Sequence, residues 1–331
     1  MSTQSQVSVI ICAYTEERWD LMVVSIESIK AQSLRPLELI LVIDHNPKLY
    51  ERVSNQYPNM NVIENQEKQG LSGARNTGIK AAKGNVLAFI DEDASAAPDW
   101  LENLIKAYSD PSVIGVGGVI HPNWSEGMPH WFPAEFNWVV GCSYKGLPEK
   151  QDEIRNLIGC NMSFRSNVVD DVGRFRSEIG RIGAVPFGCE ETELCIRATQ
   201  VYPDRKFIYE PAASVLHYVP AQRSTFLYFR SRCYAEGISK ALITELIGKR
   251  DGLSSERNYT FKTLPLGVLR GIKDAFWGDL SGLGRAGAII IGLTWTTWGF
   301  IVGKLVHVPQ LRAKKLERNR VRQMKGKKTN E

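Results

Sequence analysis

Short apolar runs rich in β-branched residues alternate with stretches of helical spacing over the first ninety residues of the chain. The runs at 7–12, 39–43, 60–63 and 86–90 are predicted to be buried strands. Between them, apolar side chains at helical intervals predict a first helix through Trp19, Met22, Ile26 and Ile29, and two more helices at 49–57 and 71–82. This βαβαβαβ order predicts a mainly parallel sheet with helices on both faces.

Polar residues follow three of the predicted strands at the point where each strand ends. They are Ala13-Tyr14-Thr15-Glu16, Asp44 and the triplet Asp91-Glu92-Asp93. Ligands of such sheets bind beyond the carboxyl ends of the strands, so we expect these groups to converge on one edge. An Asp after a strand often only caps the next turn, which explains each position alone but not their recurrence.

The acidic triplet is a candidate cation site. On an extended segment, residues two apart point the same way, so Asp91 and Asp93 are expected to face one cation while Glu92 faces elsewhere. Hard divalent cations such as Mg²⁺ or Mn²⁺ prefer carboxylate oxygens and neutralise a departing diphosphate. Acidic triplets are also common on solvated loops, so the prediction depends on the position at a strand end.

The middle of the chain, from residue 94 to about 237, is less regular and rich in aromatic residues. Runs at 113–119, 161–165 and 207–209 are predicted to extend the sheet. The aromatic cluster within 130–138 can shape a pocket, touch a bilayer or simply pack in the core. Its members are Trp131, Phe132, Phe136 and Trp138.

The C-terminal part predicts membrane association. Residues 261–285 mix apolar and charged positions as an interfacial helix does, and residues 286–303 carry no charge. Eighteen residues is the lower limit for a membrane span, so a span and a re-entrant or in-plane helix both remain open. A single crossing would place the basic tail opposite the cytosol, against the usual distribution of positive charge.

Charge and cysteine usage narrow the partners and the compartment. The net charge is +5, yet the tail at 312–331 alone sums to +7, which favours anionic lipid over nucleic acid as its partner. A disordered, solubilising tail is the alternative. The six cysteines form no CxxC pair, and the N-terminus has no basic region or cleavage signal, so we expect reduced thiols and a catalytic domain on the cytoplasmic face of the membrane.

Five segments occur in a characteristic order: VSVIICAYTEE, LILVID, QGLSGARNTGIKAAKG, VLAFIDED and CEETELCIRA. Over residues 7–240 the chain resembles family 2 glycosyltransferases of the GT-A fold, a Rossmann-like mixed α/β sheet that binds nucleotide-diphospho-sugars. The resemblance implies that the base and ribose of a UDP-type donor, and the cleft around them, involve Ala13, Tyr14, Glu16, Asp44, Gly70, Ala74 and Arg75. It implies further that Asp91 and Asp93 meet ribose, metal and diphosphate.

The same resemblance implies a catalytic base. Inverting transfer needs a base that takes the proton of the acceptor hydroxyl. In this family it is the second acidic residue of an ED motif, here Glu191 after Glu190, so the chain has EE where ED is usual. The acidic residues also suit the first turn of a helix on electrostatic grounds alone, and both interpretations can hold.

Three further residues are candidates with open alternatives. His217 resembles a family histidine near the diphosphate, where it ligates metal or phosphate, but a lone histidine is as often structural. Arg230 and Arg232 can pair with diphosphate oxygens, cover the sheet or face lipid phosphate.

The chain has no QxxRW motif, the mark of processive synthases in this family, so transfer of a single sugar is favoured.

The stretches MPHWFPAEFNWVVGCSYKGLP and EIRNLIGCNMSFR resemble a subgroup, the archaeal glucosyl-dolichyl-phosphate glucuronosyltransferases. This implies a UDP-glucuronate or UDP-glucose donor and a polyprenyl- or dolichyl-phosphate-linked acceptor, or another glycan acceptor. A non-catalytic membrane scaffold with the same fold is the alternative.

We predict a catalytic domain at 1–240, with a nucleotide-binding half at 1–93 and an acceptor half at 94–240. A membrane-associated helical region at 241–311 and the basic tail at 312–331 follow.

Overall fold

The computed structural model describes residues 6–176, 188–248 and 258–309, and the tail at 312–331 lies outside these. The predicted βαβαβαβ order of the N-terminal half is confirmed. Its elements are β1 (Val7–Ala13), α1 (Trp19–Lys30), β2 (Glu38–Ile43), α2 (Pro47–Gln56), β3 (Asn61–Glu64), α3 (Leu71–Ala81) and β4 (Val86–Asp91).

The second half of the chain adds five strands and then helices. In chain order these are β5 (Ala94–Ala96), α4 (Trp100–Lys106), β6 (Val113–Trp124), β7 (Asp152–Ile154), β8 (Asn161–Arg165), α5 (Ser166–Asp171), α6 (Glu190–Val201), β9 (Lys206–Val219), α7 (Phe226–Ile247), α8 (Leu264–Phe276) and α9 (Ser281–Val302). Single turns of 3₁₀ or π-helix join several of them.

One mixed sheet runs through the molecule in the order β3-β2-β1-β4-β8-β6-β9-β5, with β7 paired to β9. The first four strands are mutually parallel, and β8 is antiparallel to both β4 and β6. Successive side chains of β1 point to opposite faces of the sheet, so Val9 and Ile11 enter one hydrophobic core and Ile10 enters the other. The two cores explain why the strands are apolar at nearly every position.

Two strands of the acceptor half, β6 and β9, are longer than predicted. The prediction for β9 covered only 207–209, because Pro211 and a polar stretch interrupt its apolar run. The structure accommodates this stretch with a shift in register against β6 between Gly118 and Val119, after which pairing resumes. The extended end of β9 then pairs with β5, which places His217 opposite Ala94, next to the acidic triplet.

Helix α7 packs against α9 through glycines. A Cβ at Gly237 would collide with the backbone of Thr296, and one at Gly299 with the backbone of Tyr234. Such close approach requires residues without side chains, as in helix pairs inside membranes. Helix α7 runs across residue 240, where the sequence predicts a domain boundary, and that boundary stays a prediction.

The predicted interfacial helix at 261–285 is interrupted. Helix α8 ends at Phe276, and Gly278 takes a φ of 100°, which turns the chain into α9. Within the described residues, the helical stretch Ser281–His307 has the length and apolar composition of a membrane span, and 22% of its most apolar window is buried inside the protein. The outer faces of α8 and α9 expose large apolar side chains, namely Leu266, Leu269, Phe276, Leu283, Ile290 and Trp298.

Candidate active site

A cavity of about 1190 Å³ lies beyond the carboxyl ends of β1, β2 and β4. Its size suits a nucleotide-sized ligand together with a second substrate. Twelve of the residues predicted from the sequence line it: Ala13, Tyr14, Asp44, Gly70, Ala74, Arg75, Asp91, Asp93, Glu190, Glu191, His217 and Arg232. The individual roles of these residues stay predictions.

The acidic triplet is not extended, so the predicted orientation of Glu92 is wrong. Asp91 is the last residue of β4, and Glu92 and Asp93 form the turn that leads into β5. All three residues line the cavity, and both Glu92 and Asp93 lie beside the same cation, Arg18. The alternation argument fails here because it applies only while the strand continues.

Arg18 is a residue that the sequence reasoning missed. Its Nη1 lies 2.8 Å from Glu92 Oε1 and 3.0 Å from Asp93 Oδ2, and its guanidinium sits 5.5 Å from the ring centre of Tyr14. Burial and the nearby Asp93 raise the pKa of Glu92 to about 7 despite this cation. A basic residue one turn after β1, opposite an acidic strand end, is the signal that could have predicted the contact.

Asp93 and His217 form a buried pair. His217 Nε2 lies 3.3 Å from Asp93 Oδ1, and the backbone N–H of Tyr218 donates to the carbonyl of Asp93. Burial alone would raise the pKa of Asp93, but the hydrogen bond from His217 and the charges of His217 and Arg18 hold it well below its usual value. Asp93 is therefore an anion at neutral pH.

Asp91, His217 and Cys160 can together hold a metal ion, since one ligand atom of each lies within 4.8 Å of the others. Cys160 was not predicted, and burial raises the pKa of its thiol well above the usual value. Asp91 and His217 contribute a carboxylate oxygen and an imidazole nitrogen to this set. This set fits a hard or borderline divalent cation such as Mn²⁺.

Helix α6 presents Glu190 and Glu191 to the same cavity. Its N-terminal residue follows Cys189, which has a φ of 79°, so the helix begins abruptly at the cavity wall. Burial and the charge of Glu190 raise the pKa of Glu191 to about 8. A carboxyl with a pKa this close to neutrality is suited to exchange a proton with a ligand.

Arg75 connects α6 to the acidic triplet. It is 2% exposed, its Nη1 lies 3.0 Å from Glu190 Oε1, and its Nη2 lies 3.5 Å from Asp91 Oδ1. It also donates to the carbonyl of Gly159 at 3.1 Å. Glu190 Oε2 has no hydrogen-bond partner among the described residues, so this oxygen remains able to accept one from a ligand.

Asp44 organises the loop before α3. Its Oδ1 accepts from Asn65 at 2.6 Å and lies 2.9 Å from His45 Nδ1, while Oδ2 accepts from the backbone N–H of Gly70 at 2.9 Å. Gly70 has a φ of 123°, which a side chain would strain. Oδ2 accepts only one of these bonds, and Asp44 lines the cavity, so this oxygen has a further lone pair for a ligand donor.

The structure does not bring all predicted residues to the cavity. Glu16 is exposed and does not line it. Arg230 is also exposed and lies 5.0 Å from the ring centre of Trp295 on α9, facing away from the site. Arg232, by contrast, is buried and lies 3.8 Å from Glu236 Oε2 one turn along α7.

The far end of the cavity is apolar and includes the C-terminal helices. Phe136 and Trp138 from the aromatic cluster line it, together with Tyr259, Leu264 and Leu293. The hydroxyl of Tyr259 accepts from Trp138 Nε1 at 2.9 Å and donates to the carbonyl of Glu135. The segment that the sequence assigned to the membrane thus forms part of the site.

A mixed α/β sheet with an acidic strand end, facing carboxylates and a nucleotide-sized cavity is typical of sugar-transferring enzymes of the GT-A fold. The family model for glycosyl transferase family 2 matches residues 8–173. The chain belongs to this family and is a glycosyltransferase, as the sequence predicted.

The curated relatives include the glucosyl-dolichyl phosphate glucuronosyltransferase of Haloferax volcanii. It is 35% identical over 265 residues, which cover 79% of this chain and 83% of the relative. This likeness confirms the predicted subgroup resemblance.

Two solved structures share the fold. The mannosyltransferase PcManGT of Pyrobaculum calidifontis, solved with GDP-Man and Mn²⁺, superposes with a TM-score of 0.55 at 16% identity over 90% of this chain and 88% of its own. GalNAc-T7, solved with UDP, GalNAc and Mn²⁺, superposes with a TM-score of 0.51 at 16% identity over 74% of this chain and 51% of its own.

Proposed function

We propose that this enzyme transfers one sugar, with inversion, from a UDP-sugar to an acceptor linked to a polyprenyl or dolichyl phosphate. The proposal depends on one observation. Within the same cavity, Arg75 contacts Asp91, at the proposed metal-binding edge, and Glu190, on the helix that also bears Glu191. A donor held at one side then faces a carboxylate of raised pKa on the other.

The donor nucleotide lies over the ends of β1 and β2 in this proposal. Tyr14 is exposed at the cavity wall, where its ring can stack on the base. The unused lone pair of Asp44 Oδ2 accepts from a nucleotide N–H or O–H. The shape of the Gly70 loop brings backbone close to the ligand, as phosphate- and nucleotide-binding loops do.

Asp91, Asp93 and His217 are the proposed metal ligands, and Mn²⁺ or Mg²⁺ is the proposed ion. When bound, a divalent cation neutralises charge on the diphosphate as the bond to the sugar breaks. Arg18 lies beside Glu92 and Asp93 and balances part of their negative charge. Arg18 thus acts as a partial counter-ion for Glu92 and Asp93 at this edge of the sheet.

Glu191 is the proposed base. The acceptor hydroxyl oxygen forms a bond to the anomeric carbon while the bond from that carbon to the diphosphate oxygen breaks, and the leaving diphosphate takes the electron pair. The hydroxyl proton passes to the Glu191 carboxylate. The unpartnered Oε2 of Glu190 accepts a hydrogen bond from a hydroxyl of one of the two sugars.

The acceptor reaches the site from a membrane surface. Helices α8 and α9 line the cavity with inner residues such as Leu264 and Leu293, and they expose apolar side chains on their outer faces. Phe276 is 92% exposed, which is unusual for so large an apolar residue in water. We place these faces in the cytoplasmic leaflet, and by analogy with the Haloferax relative we propose UDP-glucuronate as the first donor to test.

The experiment is a transfer assay on membranes that contain the full-length protein, with a panel of UDP-sugars and lipid-phosphate-linked sugar acceptors. We expect product with one donor, loss of product on addition of EDTA, and recovery with Mn²⁺ or Mg²⁺. Asp93→Ala is expected to abolish this metal-dependent transfer, and Glu16→Ala, outside the cavity, to retain it. Transfer unaffected by chelation would exclude the metal site.

A further inference from the structure

The 3₁₀ turn Ala221–Ser224, between β9 and α7, brings a further cation to the cavity. Arg223 lines the cavity and is only 8% exposed. Across residues 6–176, 188–248 and 258–309, its guanidinium makes no side-chain hydrogen bond and has no carboxylate within 4.0 Å. Sequence analysis did not single it out.

Arg18, Arg75 and Arg232, which also line the cavity, each have a carboxylate within 4.0 Å. Arg75 has two carboxylates within 3.5 Å, and Arg18 has two within 3.0 Å. A guanidinium that faces a cavity and has no carboxylate beside it keeps its hydrogen-bond donors available to a ligand. A cation held this way at the wall of a binding cavity therefore indicates an anion that arrives with a ligand.

That anion belongs either to the donor diphosphate or to the acceptor, and the position of Arg223 distinguishes between the two. Arg223 follows the end of β9, six residues after His217, so it lies at the side of the cavity where His217 stands beside the acidic triplet. The predicted nucleotide residues, by contrast, come from β1 and β2 at the other end of the triplet. A donor diphosphate already has the metal ligands and Arg18 near it.

An exposed apolar surface begins three residues after Arg223 in the chain. Phe226 and Leu227, in the first turn of α7, are 43% and 67% exposed. Phe226 packs against Trp131 with ring centres 5.4 Å apart, and Trp131 in turn lies against Gly284 near the start of α9. An anion attached to an apolar chain would place its charge on Arg223 and its chain along this surface.

We propose that Arg223 binds the phosphate that joins the acceptor sugar to its lipid chain. This inference rests on the proposed lipid-linked acceptor and specifies how the enzyme recognises it. The phosphate fixes the lipid end of the acceptor at Arg223, next to the exposed side chains of Phe226 and Leu227, so that the sugar hydroxyl extends into the cavity toward Glu191. Recognition of this kind depends on the phosphate and not on the length of the lipid.

The test measures binding by full-length protein in detergent, without any requirement for turnover. The ligands are a short prenyl phosphate, the corresponding prenyl alcohol and UDP with Mn²⁺. We expect Arg223→Gln to weaken binding of the prenyl phosphate by about tenfold or more, as loss of a charge-assisted hydrogen bond implies. Binding of the alcohol and of UDP should change less than about twofold, since neither depends on this contact.

Arg230→Gln is the matched control, because it removes the same charge seven residues away, at an exposed position on α7 that does not line the cavity. It should leave binding of all three ligands unchanged. If Arg223→Gln does not fold, Arg223→Lys replaces it, since lysine keeps the charge but loses the paired donors. A selective loss of prenyl phosphate affinity in the lysine variant then supports the proposal.

Three results would overturn it: equal affinity of the wild-type protein for the phosphate and the alcohol, unchanged phosphate binding in the variant, or a loss that falls on UDP. The last would assign Arg223 to the donor diphosphate. Because binding is measured without sugar transfer, failure of the proposed transfer reaction and failure of this phosphate site give different results.

Discussion

Replacement of Arg75 by Met tests whether this residue holds the two sides of the site together. Methionine preserves most of the volume but removes the charge, which leaves Glu190 and Asp91 without their cation. At separations of 3.0 and 3.5 Å, each contact corresponds to about 5 kcal/mol of attraction at an effective dielectric constant of 20. Much of this offsets the cost of burying the charges.

The net effect is smaller than the sum of these attractions. Asp91 keeps 28% of its side chain exposed, so water partly replaces Arg75 there, whereas Glu190 keeps only 6%. Breaking a buried pair at one partner typically costs about 3–5 kcal/mol, and we expect Arg75→Met to fall in that range. For a domain of this size the thermal midpoint should drop by roughly 6–20 °C.

The assay is thermal unfolding in detergent of Arg75→Met, Glu190→Gln and the double variant. The double variant should recover at least about 1 kcal/mol relative to the sum of the single changes, because it no longer buries an unpaired carboxylate. Arg205→Met, at an exposed arginine, is the control and should alter stability by less than about 0.5 kcal/mol. Additive single effects, or an Arg75→Met loss under about 1 kcal/mol, would refute the reasoning.

Three other predictions follow from particular contacts. Burial and Glu190 raise the pKa of Glu191 to about 8, and the base must be deprotonated, so kcat/KM should fall as the pH drops below about 8. Glu190→Gln removes a neighbouring negative charge and should move this acidic limb of the pH profile to lower pH by about one unit. A limb that stays in place in Glu190→Gln would contradict the assignment of Glu191 as the base. Gly299→Ala should destabilise the protein by roughly 1–3 kcal/mol in thermal unfolding, because its Cβ would strike α7, whereas Gly287→Ala, with open space, should not. Phe276→Asp should reduce flotation of the protein with anionic liposomes, and equal flotation would place the membrane surface elsewhere.

The alternating half of the fold could be predicted because its strands are buried on both faces. β1, β2 and β4 appear as mainly apolar runs, and each predicted range differs from the observed one by a single residue at one end. The end of β9 could not be predicted, since its pairing with β5 and β6 depends on partners distant in the chain and on a shift in register. The interruption at Gly278 also depends on the packing of α8 against α9.

The candidate site was predictable where a residue type and a strand end coincide. Asp44, Asp91 and Asp93 follow buried strands, so their convergence followed from topology alone. Cys160 and Arg223 were missed because nothing local to either residue marks it, and only tertiary packing brings it to the cavity, whereas the position of Arg18 one turn after β1 was a signal that could have been used. Glu92 was misplaced because a turn starts one residue earlier than the extended model assumed.

The most direct test of the central claim, that this cavity is the site of sugar transfer, is a comparison of Glu191→Gln with the wild-type enzyme at saturating donor and acceptor. The variant should bind the UDP-sugar with unchanged affinity and transfer it about 10²–10⁴-fold more slowly, as removal of a general base implies. Transfer at the wild-type rate by Glu191→Gln would contradict the assignment of the base and with it the proposed geometry of the reaction.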